Sequence, residues 1–163
     1  MSPNSKETRG RINKILVERL HLVGESPQFL QAVDQCLAIS QNDITVLFLG
    51  ETGTGKELFS RWVHQLSPRA SGPFVPVDCA SIPETLFAHE LFGHEKGAFT
   101  DAREENKGLL AEALGGTLFL DEVESLPVGA QGTLLRLLEN RTWRPLGSTT
   151  SQALNCRVIA ASN

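Results

Sequence analysis

No stretch of this 163-residue sequence is apolar for long enough to cross a bilayer, and its N-terminus lacks the apolar core of a secretory signal. Cysteine is scarce as well: Cys36, Cys79 and Cys156 are odd in number, far apart and without a CxxC pair. This disfavours a disulfide framework or a structural zinc site and fits a reducing cytoplasm, where the protein is expected to reside. The four histidines, His21, His64, His89 and His94, lack metal-ligand spacing beyond the loose pair His89 and His94, so surface or packing roles are expected. An excess of positive charge is missing too. The formal net charge is −4, which disfavours a segment that wraps nucleic acid by itself. There is no internal repeat. With 40% hydrophobic and 21% charged residues, the remaining composition is that of a folded globular domain, and the length suits one core.

Residues 1–20 read as an N-terminal arm, with Ile12, Ile15, Leu16 and Leu20 at helical spacing in a short connecting helix over 11–20. The folded part, 21–163, opens at Leu22-Val23-Gly24. Ser26 followed by Pro27 predicts a capped helix running to about Ser40. The β-branched and apolar run Ile44 to Leu49 predicts a strand, and a helix over Lys56 to about Leu66 follows, with Leu58, Trp62, Val63 and Leu66 inward. Phe74 to Val77 predicts a strand that Pro76 consigns to an edge. Pro83 opens a helix to Phe92, residues 93–107 form an exposed loop, and Gly108 to Leu114 resumes helix. Thr117 to Leu120 is apolar throughout, as a central strand covered on both faces requires. A glycine-bearing segment from Pro127 leads into a helix over Thr133 to Asn140, then a hairpin around Ser148 to Ser151 and a last strand, Arg157 to Ala161. Strands alternate with helices, which predicts an α/β fold with a largely parallel sheet.

The chemistry-bearing stretch is Gly50-Glu51-Thr52-Gly53-Thr54-Gly55-Lys56, between a strand and a helix. Glycines let successive backbone N–H groups converge on one anion, the helix N-terminus adds its dipole, and Lys56 reaches β- and γ-phosphates. Such a P-loop needs a carboxylate for Mg2+ and a group that orients water. Asp121 and Glu122, ending an apolar strand, have the form of a Walker B pair: Asp121 for the metal, Glu122 as general base. Asn163, also at a strand end, has the placement of a polar sensor; read alone, it is an ordinary polar terminus. Glu57 stands where a Ser or Thr hydroxyl usually meets Mg2+.

Together these motifs resemble the central AAA+ ATPase domain of sigma-54-dependent transcription activators, the bacterial enhancer-binding proteins. That family's P-loop usually reads GE(S/T)GTGKE, which accommodates Glu57. The stretch Glu90 to Thr100, Gly115 to Glu122, Leu134 to Leu138, and Arg157 to Asn163 are similar to further family motifs in the same order, from about residue 21 to the end. The resemblance implies a three-layer P-loop NTPase with a mainly parallel sheet, ATP with Mg2+ as cofactors, and ATP hydrolysis to ADP and phosphate. Val23 and Gly24 would lie near the adenine. Residues Gly97-Ala98-Phe99-Thr100-Asp101-Ala102 would be the loop contacting sigma-54 and its RNA polymerase, and Leu126 to Gly132 a second pore loop. It also implies a hexameric ring, remodelling of closed promoter complexes, and DNA binding through a domain absent here.

Two departures bear on function. The family's GAFTGA loop carries Asp101 in place of a glycine, which leaves open a regulator of the same lineage that no longer engages sigma-54. A small-molecule phosphotransferase stays open as a third class, though no acceptor site is visible. Asp78 stands where the family commonly has an asparagine that holds the catalytic glutamate inactive; two carboxylates at that spacing repel, which implies a weaker latch on Glu122. The family's arginine fingers, last strand and helical lid are expected beyond Asn163. Ile44 to Leu49 is therefore expected at an open sheet edge, and this segment alone is expected to be nearly inactive.

Overall fold

The computed structural model describes Gly24, 26–99, Ala102 and 104–163. The arm and helix expected over 1–20, and the site candidates Val23, Thr100 and Asp101, lie outside the described residues. Helix α1 (Pro27–Ser40) starts where Ser26 Oγ accepts the Phe29 N–H at 3.2 Å and Pro27 takes the first helical position. There follow β1 (Val46–Leu49), α2 (Lys56–Gln65), β2 (Phe74–Asp78), α3 (Glu84–Phe92), the short α4 (Leu109–Glu112) and β3 (Thr117–Asp121). A 3₁₀ turn at Val123–Ser125 leads to α5 (Val128–Asn140), the hairpin strands β4 (Thr142–Trp143) and β5 (Gln152–Ala153), and β6 (Arg157–Ser162). No helix among the described residues is long and apolar enough to cross a membrane.

The main sheet is parallel, in the order β1-β6-β3-β2. On β3 the alternation of side chains divides the core. Leu118 and Leu120 join Phe87, Leu91, Leu137 and Val158 on one face, under α3, α4 and α5. Phe119, with Ile159 and Ala161 of β6, meets Val33, Trp62 and Val63 of α1 and α2 on the other. Burying each large apolar side chain contributes roughly 1.5–3 kcal/mol relative to exposure, so two such faces account for an uninterrupted apolar central strand. The result is a three-layer α/β domain, as expected. Pro76 sits on β2 at one sheet edge; β1, with Leu47 and Leu49 exposed, forms the other.

Several sequence expectations change. Helix α5 begins at Val128, not Thr133, so most of the presumed pore-loop segment Leu126 to Gly132 is helical. Pro127 presets the entry, its carbonyl accepts the Gln131 N–H at 3.0 Å, and Gln131 Nε2 donates to Leu126 O at 2.8 Å. These contacts offset the roughly 1 kcal/mol that each helical glycine, Gly129 and Gly132, costs. Leu58 is exposed, and Ser60 and His64 are buried on α2 instead, because their polar atoms find partners: Ser60 Oγ donates to Lys56 O at 2.8 Å and His64 Nδ1 lies 2.9 Å from Thr117 Oγ1. Arg157, only 1% exposed, donates to the carbonyls of Ile39 (3.1 Å), Ser40 (3.2 Å) and Ile44 (3.3 Å). Its guanidinium thus meets the negative end of α1, which compensates a burial that pulls its pKa down.

Candidate functional site

Parallel pairing brings four chain segments to one end of the sheet. Leu49 is level with Ser162, so the loop after β1 and Asn163 after β6 emerge side by side, joined by Gly50 N–H to Ser162 O at 3.2 Å. Asp78 is level with Asp121, which puts the ends of β2 and β3 together. The carboxyl ends of strands in an open α/β sheet are where such folds hold ligands.

The loop from Gly50 to Lys56 curls through two left-handed residues, Gly53 at φ 82° and Gly55 at φ 86°. Nothing lies within 4 Å of a side chain built at either, so it is the backbone angle and not the space that calls for glycine. Thr54 Oγ1 donates to Glu51 O at 2.7 Å and braces the turn. Lys56 Nζ donates to Gly50 O (2.6 Å), Glu51 O (3.2 Å) and Asn163 Oδ1 (2.7 Å). Thr52 Oγ1 donates to the same Asn163 oxygen at 3.2 Å. Glu57 turns away and pairs with Arg61 at 2.8 Å, one helical turn along α2, while the Arg61 guanidinium lies 4.6 Å from the Phe74 ring centre. A cleft of about 560 Å³ opens beside β1 and this loop, lined by Cys36, Ile39, Phe48, Phe59 and Lys56 among others. Gly24 packs on the Phe29 ring, which itself meets Phe59 edge-on at 5.9 Å.

Asp121 Oδ1 accepts the Glu122 N–H at 3.0 Å. Glu122 adopts φ 51°, ψ 47°, a left-handed conformation that costs a non-glycine residue about 1 kcal/mol or more. Asp78 Oδ1 accepts the Ala80 N–H at 3.0 Å, which directs that oxygen along its own turn. The carboxylates surround one buried thiol: burial first, then Asp78, Asp121, Glu124 and Glu122, push the Cys79 pKa up to about 12. Cys36 and Cys156 are likewise raised by burial, to about 12 and about 11, so all three thiols are inert at neutral pH. Glu124 escaped the sequence reading; its Oε1 accepts the Asn163 N–H at 2.9 Å. Only its place two residues after Glu122 hinted at it. No group of three metal-binding side chains occurs among the described residues. Magnesium in nucleotide sites takes one or two carboxylates plus phosphate oxygens, and Asp121 is a hard oxygen donor of the kind that pattern requires.

The segment Gly97 to Ala102 lies elsewhere, beyond α3. Phe99 is wedged edge-on between His89 (4.6 Å between ring centres) and His94 (4.9 Å). Ala102 N–H donates to Phe99 O at 3.0 Å and Gly97 N–H to Ala102 O at 2.8 Å. Its root is stitched to the β4–β5 hairpin: Leu146 N–H donates to Gly93 O (2.9 Å) and Glu95 N–H to Leu146 O (3.0 Å). Gly147, at φ 82°, lies against Ala98; a Cβ there would come within 2.8 Å of the Ala98 methyl.

Residues 22–163 match the family model described as the Sigma-54 interaction domain. The chain is 45% identical over 142 residues to the transcriptional regulatory protein GlrR of Escherichia coli (strain K12), covering 87% of this chain and 32% of that protein. It is 46% identical over 142 residues to a Nif-specific regulatory protein of Azotobacter vinelandii, covering 87% and 27%. Among solved structures, NtrX from Brucella abortus in complex with ATP superposes with a TM-score of 0.77 at 33% identity, covering 96% of this chain and 33% of that one. The P-loop NTPase domain described as that of the sigma-54 transport activator from E. coli superposes with a TM-score of 0.54 at 24% identity, covering 86% and 78%, and supports the fold. The chain thus spans about a third or less of the length of these two relatives.

Proposed function

Because the chain belongs to the Sigma-54 interaction domain family, we propose that it is the ATP-binding and ATP-hydrolysing part of a transcription regulator that remodels sigma-54 RNA polymerase at closed promoters. The observation that supports this most directly is the convergence of Lys56, Asn163 and the Asp121-Glu122 turn at one end of the sheet. In this reading the backbone N–H groups of Gly53 to Lys56 take the β-phosphate and Lys56 leaves Asn163 for the phosphates. Asp121 would hold a magnesium ion together with the phosphates, and that ion would supply neutralisation of charge on the transferred group. Glu122 accepts a proton from the attacking water, and Asn163 orients that water or the γ-phosphate. Asp78 sits beside this turn and influences it through its charge. Thr52, Thr54 and Glu51 shape the loop. Glu57, paired with Arg61, supports the helix and not the metal.

The loop Gly97 to Ala102 is the proposed contact for sigma-54, with Phe99 as its exposed aromatic; Thr100 and Asp101 complete it in sequence. Assembly into a hexameric ring, DNA binding through another domain and a cytoplasmic location belong to the same proposal. Fluorescent ATP-analogue binding tests its first step: the chain is expected to bind and Lys56→Ala to lose binding. Equal binding by both would refute it. In the full-length protein, sigma-54-dependent transcription distinguishes a remodeller from a regulator of the same lineage without that contact.

A further inference from the structure

A run of hydrogen bonds crosses the site from the P-loop to the turn that bears Glu122. Lys56 Nζ and Thr52 Oγ1 both donate to Asn163 Oδ1, and the Asn163 backbone N–H donates to Glu124 Oε1 at 2.9 Å. Glu124 belongs to the 3₁₀ turn Val123–Ser125, which Glu122 caps from its left-handed conformation. A non-glycine residue stays in that conformation only where its surroundings over-determine it. Locally the turn is held by Asp121 Oδ1 on the Glu122 N–H and by Ser125 N–H on Glu122 O at 2.9 Å. The Glu124 bond ties the same turn to a separate strand, β6. Chiefly through that N–H, the Glu124 carboxyl is held below its ordinary pKa, so the acceptor is charged at neutral pH.

We propose that Glu124 is a positioning residue, a clamp that holds Asn163 against the catalytic turn so that departure of Lys56 toward a phosphate leaves Asn163 in place. This rests on the ATPase reading above. The ammonium of Lys56 has three protons, and its acceptors are two carbonyls of its own loop and one oxygen of Asn163. A phosphate that draws Lys56 away removes the strongest donor on the Asn163 side chain. Thr52 Oγ1, at 3.2 Å, is then the donor left on that side chain, while Gly50 N–H on Ser162 O holds the strand before it but not Asn163 itself. With the backbone N–H fixed on Glu124, the side-chain amide keeps its station beside the phosphates, in fixed relation to Glu122. Such a clamp acts on the chemical step and not on nucleotide capture, which depends on the P-loop backbone and Lys56.

Steady-state ATP hydrolysis by the full-length protein and its Glu124→Ala and Glu124→Gln variants tests this, with fluorescent-nucleotide affinity measured in parallel. Glu124→Ala is expected to lower kcat about tenfold while KM and nucleotide affinity stay within about twofold. Glu124→Gln keeps an oxygen acceptor for the Asn163 N–H and is expected to restore most of the rate. An unchanged kcat in Glu124→Ala would overturn the clamp, as would a loss confined to KM or an equal loss in Glu124→Gln. Nucleotide binding without any turnover by the unmodified protein would overturn the ATPase reading and the clamp together, an outcome visible before any variant is compared.

Discussion

The two regions that carry the proposed function are held by different forces. At the phosphate site, polar atoms converge: Lys56, Thr52 and Glu124 all act on Asn163 at 2.7–3.2 Å. At the Gly97–Ala102 loop, Phe99 meets the ring edges of His89 and His94, above a root of backbone bonds to the hairpin. Directed hydrogen bonds to charged groups are short and impose a donor–acceptor alignment. An edge-on ring contact contributes about 0.5–1.5 kcal/mol and tolerates sliding. One region is held by directed polar bonds, the other by ring packing above a backbone-bonded root.

The largest effect that separates them is Lys56→Ala, expected to weaken nucleotide binding by about 100-fold or more. Phe99→Ala should leave that affinity within about twofold, as isothermal titration would read; a large loss there would join the two regions. Next comes Gly147→Ala. It imposes a Cβ at positive φ against Ala98, so a loss of about 2 kcal/mol in denaturant unfolding is expected, with nucleotide affinity unchanged.

Histidine chemistry sharpens the contrast further. Burial holds the His64 pKa below 6.5, with smaller contributions from Arg157 and Arg61 against an opposing backbone hydrogen bond. The unfolded chain therefore binds a proton that the folded chain resists. Stability is complete above about pH 6.5 and falls as pH drops from there toward the folded pKa. Thermal unfolding across that range should show the slope, and His64→Gln should flatten it. The smallest effect is Glu57→Gln, which breaks an exposed pair one helical turn apart: about 0.3–0.5 kcal/mol of stability, with no change in nucleotide affinity beyond about twofold. A larger loss of affinity would return Glu57 to the phosphate site.

Much of this was legible beforehand. The P-loop, the edge position of Pro76, the buried central strand and the Ser26-Pro27 helix start follow from local rules that the sequence displays directly. What misled was also local. Gly129 and Gly132 argued for loop, yet Pro127 and Gln131 start the helix there. Leu58 matched an apolar stripe, but α2 turns Ser60 and His64 inward because Thr117 and the Lys56 carbonyl await them. Nothing local marks the partners of Glu124 and Arg157, since they lie 39 residues and more than 110 residues away.

The sequence by itself therefore determined which groups are available: a glycine turn able to wrap an anion, a lysine after it, two carboxylates closing an apolar strand and an asparagine closing another. These are properties of backbone freedom and side-chain chemistry, which need no distant partner. The tertiary structure alone decided their neighbours. Parallel pairing set Asn163 beside Lys56 and Glu124, packing turned Glu57 to Arg61, and the hairpin became the seat of the Phe99 loop, because strand order and register join residues that the chain keeps far apart.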